Sequence, residues 1–117
     1  MADNGASVTI STISSLLSTD PVRWLIDQQS FNGAWLLNES DIEKLTNGKS
    51  LSTLQSTVIK NKDTLTTALA IAVLELKYPK QKNLWFAVVD KGRKRLYSFG
   101  LTNDQITRLI DEIKNKL

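Results

Sequence analysis

The chain contains neither cysteine nor histidine in its 117 residues. Without cysteine there is no disulfide framework, no zinc–thiolate site and no thiol nucleophile. Without histidine, the commonest general base and the commonest metal ligand are both missing. A metal would have to rest on carboxylates and carbonyls, and no cluster of these has the spacing of a binding loop. No apolar run approaches the ~20 residues needed to cross a bilayer. The first residues lack a basic stretch followed by an apolar core, so no signal peptide is expected. The expectation from these absences is an intracellular, cytoplasmic protein that needs no cofactor.

Catalytic pairings are missing as well. Asp41 and Glu43, two apart near a helix start, do not face each other and read as helix-dipole partners. Asp111 and Glu112 read as helix surface with no partner base. Asn47-Gly48-Lys49-Ser50 lacks the first glycine and the preceding strand of a phosphate-binding loop. The chain is therefore expected not to be an enzyme.

What is present suits one small globular domain. The apolar share of 41% and the charged share of 23% are those of a folded protein, which excludes wholesale disorder. A net charge of +3 is a mild basic excess, short of a dedicated nucleic-acid binder.

Residues 1–19 are rich in Ser and Thr, with Asp3 as their one charged side chain. They read as a linker from a longer parent or as a weak helix carrying Ile10, Ile13 and Leu17. Residues 20–117 read as the domain proper. Asp20-Pro21 gives a helix start, with cap and first-position proline, for a helix to about Gln29 bearing Val22, Leu25 and Ile26. Phe31-Asn32-Gly33 breaks it, and Trp35, Leu36 and Leu37 supply an apolar patch.

Ser40 is the expected cap of a short helix holding Ile42 and Leu45, ended by Asn47-Gly48. Ser50 begins another, with Leu51, Leu54 and Val58 at helical spacing. After Asn61-Lys62-Asp63 comes the most hydrophobic segment, Thr64 to Tyr78. Leu65, Leu69, Ala72, Val73 and Leu76 mark one face, and Ile71, Leu74 and Tyr78 the other. A helix apolar on both sides belongs at the centre of a bundle.

A further helix from about Lys82 to Phe99 places Leu84, Trp85, Val88, Val89, Gly92, Leu96 and Phe99 on one inward arc. Thr102 and Gln105 have the form of a capping box for a last helix striped by Ile106, Leu109, Ile110, Ile113 and Leu117. On its wet side, Asp104–Arg108 and Glu112–Lys116 are spaced as i, i+4 pairs. The fold expected is all-α, a compact bundle of five or six helices around a central hydrophobic helix.

The most distinctive stretch is Gln28-Gln29-Ser30-Phe31-Asn32-Gly33-Ala34-Trp35. A Gln at a helix end, a Gly turn and a Trp two residues on recur in α/α-barrel terpenoid cyclases, where they staple helices together. One copy cannot build a toroid, so the local reading holds: the turn returns the indole to the helices and the Gln amide satisfies free backbone groups.

Trp24 to Trp35, Thr66 to Glu75 (TTALAIAVLE), Leu84-Trp85 and the basic Lys91–Arg95 run together carry a wider resemblance. Over about residues 20–117 the chain resembles the C-terminal domain of proteins that join a vault-protein/inter-α-trypsin domain to a von Willebrand factor A domain. It is similar to the C-terminal segment of vault poly(ADP-ribose) polymerase that binds the major vault protein. The resemblance implies an all-helical adaptor that attaches its parent to the vault particle.

Two surface features bear on the partner. Phe86, Asp90, Arg93 and Tyr97 share the face of their helix away from the inward arc, and Trp24 points away from Val22, Leu25 and Ile26. Aromatics and Arg on one exposed face are what protein interfaces favour. The candidate partner-binding residues are therefore Trp24, Phe86, Arg93 and Tyr97, with cover by another helix as the alternative. Lys91-Gly92-Arg93-Lys94-Arg95 reads either as a patch for an acidic partner or phosphate, or as a solvated face. Arg95 lies near the inward arc while Arg93 and Lys94 fan outward. That breaks the stripe and weakens the alternative of a basic helical nucleic-acid-binding domain.

Overall fold

The structure, a computed structural model, describes residues 20–54 and 61–117. The Ser/Thr-rich segment 1–19 and Val58 lie outside them.

The organising element is the helix Lys62–Lys77. In chain order α1 is Pro21–Gln28, α2 Glu39–Thr46, α3 Leu51–Leu54, α4 Lys62–Lys77, α5 Lys82–Ser98 and α6 Asn103–Lys116, with a 3₁₀ turn at Pro79–Gln81 before α5. Among the described residues there is no strand, only an isolated bridge between Gln29 and Trp35. The protein is an all-α bundle. α5 and α6 both pack along α4 and touch each other less, while α1 packs on α5 and α3 on α4.

α4 is central because every residue from Thr64 to Leu74 is buried. Ala68, Ala70 and Ala72 present almost no bulk, so adjoining helices reach its axis closely; Leu65, Leu69, Ile71 and Leu74 fill the spaces between. Asn61 caps it by accepting from Thr64 N–H at 3.0 Å, so the helix starts at Lys62, ahead of the expected Thr64. Leu76, expected on the inner face, is 45% exposed because it lies past the last fully covered turn.

The caps explain the other boundaries. Asp20 accepts from Arg23 N–H at 3.1 Å and starts α1, as the Asp-Pro pair predicts. α2 starts two residues before the expected Ser40. Asn38 is its cap, accepting from Asp41 N–H at 2.8 Å while Asp41 accepts from Asn38 N–H at 3.3 Å, a reciprocal box with Asp in place of Glu. Asn47 ends α2 in the left-handed region at φ 59°. Thr102 and Gln105 form the box expected at α6. Its stripe of Ile106, Leu109, Ile110 and Ile113 is buried against the bundle. The Glu112–Lys116 pair closes at 3.8 Å; Asp104 and Arg108 do not reach ion-pair distance.

The turn after α1 is held from three sides. Gln29 Nε2 donates to the carbonyls of Gly33, 3.0 Å away, and of Val88 on α5, 2.7 Å away. Trp35, fully buried, donates from Nε1 to the Leu25 carbonyl at 2.7 Å. Its backbone is satisfied by two adjacent threonines of α4: Thr67 Oγ1 accepts from Trp35 N–H at 3.0 Å, and Thr66 Oγ1 donates to the Trp35 carbonyl. Leaving either group unpaired in the core would cost about 1–3 kcal/mol. Leu37 is buried beside this tryptophan, whereas Leu36 is 59% exposed and leaves the expected patch incomplete.

Candidate protein-interaction face

α5 buries Trp85, Val89, Gly92 and Leu96, four residues of the expected arc, with Val88 and Phe99 half-covered. Leu84 is 51% exposed, since it falls at the edge of the arc while its neighbour Trp85 turns fully inward.

Phe86 and Tyr97 are 58% and 63% exposed, so no helix among the described residues covers them. They stand three turns apart on α5, about 16 Å along the axis. Lys82 Nζ lies over the Phe86 ring, 5.9 Å from its centroid. Asp90 and Lys94 pair at 3.1 Å across the intervening turn.

Arg93 occupies a different position from the one expected. It does not stand opposite the core arc but flanks it, leaning onto α4, where its Nη2 meets Glu75 Oε2 at 3.2 Å. The other Glu75 oxygen forms an ion pair with Lys114 Nζ of α6 at 2.9 Å. One carboxylate thus joins α4, α5 and α6, with Glu75 itself largely shielded. Helical periodicity assigns no partner to Glu75 or Lys114, because it says nothing about which charges meet across helices.

Beside this carboxylate lies a groove of about 370 Å³. Its floor is Trp85 and Val89, both nearly inaccessible; Phe86 and Pro79 form its apolar edge, and Lys82, Arg93 and Lys114 bring positive charge to its rim. The Trp85 indole is held by donation from Nε1 to the Tyr78 carbonyl at 2.7 Å. The Tyr78 phenol is pushed above its ordinary pKa by burial.

The structure thus brings Phe86 and Arg93 to one groove. Tyr97 sits further along the same helix, at a second depression formed with Leu101 and Thr102. Trp24 does not join them: it is on α1, half-buried and packed against the core. The basic run is also dispersed. Arg95 is half-buried and its guanidinium lies 4.6 Å from the Phe99 ring centroid, while Arg93 and Lys94 are engaged by carboxylates. Among the described residues no group of three or more acidic side chains has the arrangement to hold a metal, and no helix is long and apolar enough to cross a membrane.

The fold and surface define a small all-helical domain with an exposed aromatic face. No protein-family model matches the chain, nor does any curated protein or solved structure.

Proposed function

We infer that this chain is a protein-binding adaptor, without chemistry of its own, that associates with the major vault protein and acts in the cytoplasm. The observation that carries the binding reading is the exposure of Phe86 and Tyr97 on a helix whose opposite side is tightly packed. Burying one aromatic ring removes ~150–250 Å² from water, so leaving two exposed on one helix forgoes several kcal/mol that a partner recovers. Arg93 between them is held in place by Glu75, which lowers the entropy lost when a partner docks. The identity of the partner rests on the resemblance of residues 20–117 to the vault-binding module.

The reading of the basic run as a nucleic-acid surface has less support. Arg93, Lys94 and Arg95 are each engaged by a carboxylate or a ring and do not form a free stripe.

Co-sedimentation of the full chain with purified vault particles tests the proposal. Wild type should pellet with vaults, and Tyr97→Ala should weaken the association about thirtyfold while the melting temperature stays nearly unchanged. Failure to pellet, together with oligonucleotide binding that falls steeply with salt, would replace it with the nucleic-acid reading.

A further inference from the structure

We propose that the groove between α5 and the end of α6 is a receptor for an acidic amphipathic helix of the partner. An apolar side chain of that helix would enter over Trp85, and its carboxylates would meet Lys82 and Arg93. The proposal rests on the adaptor reading and specifies the chemistry of what is bound.

Charge selects the occupant. Three cations line the groove, Lys82, Arg93 and Lys114, against two carboxylates, Glu75 and Asp90. Both carboxylates are already engaged, Glu75 by Arg93 and Lys114 and Asp90 by Lys94. Lys82 has no carboxylate partner among the described residues and faces only the Phe86 ring. Arg93 uses one nitrogen on Glu75 and is still 37% exposed in its side chain, which leaves outward donors. The groove therefore presents uncompensated positive charge around an apolar floor. A neutral apolar segment would leave that charge unanswered, and a basic one would be repelled.

Shape selects a helix. The exposed stripe runs from Phe86 through Asp90 and Arg93 to Tyr97, with the groove at one end and the Tyr97 depression at the other. A helix laid alongside would place apolar residues at i, i+4, i+7 and i+11 against it, the pattern of helix-in-groove recognition. The cavity volume admits one large side chain, a leucine or a phenylalanine, at the Trp85 end.

The test uses the full chain labelled with ¹⁵N and two capped helical peptides. One is built from leucine, phenylalanine, alanine and glutamate with that apolar spacing; in the other every glutamate is replaced by lysine. The Trp85 indole N–H, anchored on Tyr78, reports from the groove floor. The acidic peptide should shift it saturably together with the amides of Lys82, Phe86 and Tyr97, and the basic peptide should not. Phe86→Ala should weaken acidic-peptide binding at least tenfold, and Lys82→Glu about threefold with a larger effect at low salt. Both side chains are exposed, so both variants should keep the wild-type melting temperature.

Equal binding of the two peptides, or an unmoved Trp85, overturns the proposal. So does a Trp85 shift that follows protein concentration without peptide, which would assign the groove to a second copy. Nuclear Overhauser contacts from Phe86 to residues 1–19 in the free protein would assign it to the chain's own segment, with the same result. Parallel vault co-sedimentation separates this proposal from the adaptor reading. Vault binding with no acidic-peptide binding leaves the adaptor and removes the groove, whereas the reverse leaves the groove and removes the vault.

Discussion

A Cβ on Gly92 would stand 2.8 Å from Cζ3 of Trp35 and 3.2 Å from Cδ1 of Ile71. Gly92 is the point at which α5 comes close enough to α4 to close over the indole. The Trp35 ring is anchored at Leu25 and its backbone at Thr66 and Thr67, so it cannot yield without breaking a buried hydrogen bond.

Gly92→Ala should therefore destabilise by about 1–3 kcal/mol, the range for overpacking a filled core, despite alanine's higher helix propensity. Urea unfolding measures it. Combining it with Trp35→Phe, which removes the crowded edge of the indole, should give a loss smaller than the sum of the two. Strict additivity would mean that the two residues do not meet.

Leu69→Ala should cost about 2–5 kcal/mol, since the side chain is wholly enclosed within α4's surroundings. Leu76→Ala, on the same helix but half in solvent, should cost about 1 kcal/mol or less. Equal losses at the two positions would contradict the burial gradient along α4.

Glu75→Gln separates Arg93 from Lys114 and leaves two neighbouring cations without their anion. A loss of about 1 kcal/mol or more is expected, against a few tenths for Asp90→Asn, whose pair with Lys94 is open to water. At about 1 M salt the Asp90 effect should vanish while most of the Glu75 effect persists, because screening acts least on shielded pairs. Denaturant midpoints at two ionic strengths check both statements.

Tyr78 gives a pH dependence. Burial raises the phenol above its ordinary value of 10.0, so the folded state keeps its proton at a pH where the unfolded state has released it. Stability from this group is complete below about pH 10 and declines as pH rises from there through the folded-state value. Tyr78→Phe should flatten that decline in urea midpoints measured between about pH 9 and pH 11. An unchanged slope would mean that lysine deprotonation alone produces it.

The helices were readable where local chemistry decides them. Asp20-Pro21, the Thr102–Gln105 box, the stripe of α6 and the two-sided burial of α4 all depend on residues within a few positions of one another. Asn38 was not, because Ser40 has an equal claim to the cap until the Asp41 side chain is seen to return to Asn38 N–H. Leu76 carries the right period but sits past the last covered turn of α4, and Leu84 lies at the edge of its arc; periodicity does not record how far a neighbouring helix extends or how wide a face it covers.

The site was legible in outline only. Phe86 and Tyr97 sit on the side of α5 that the pattern assigns to solvent, and the structure leaves them there. Arg93's tie to Glu75, the Lys114 contact and the threonine pair that satisfies Trp35 all join distant parts of the chain. A threonine pair inside an apolar helix was the available signal, since buried hydroxyls need partners and Trp35 lies in non-helical backbone.

Because α5 and α6 meet chiefly through α4, neither can detach without uncovering it. Its amide protons from Thr64 to Leu74 have no local opening to exchange through, so their protons should be released only when the whole domain unravels. Stretching the chain from its two ends should load the outer helices first, and the last structure to yield should be the buried helix they enclose.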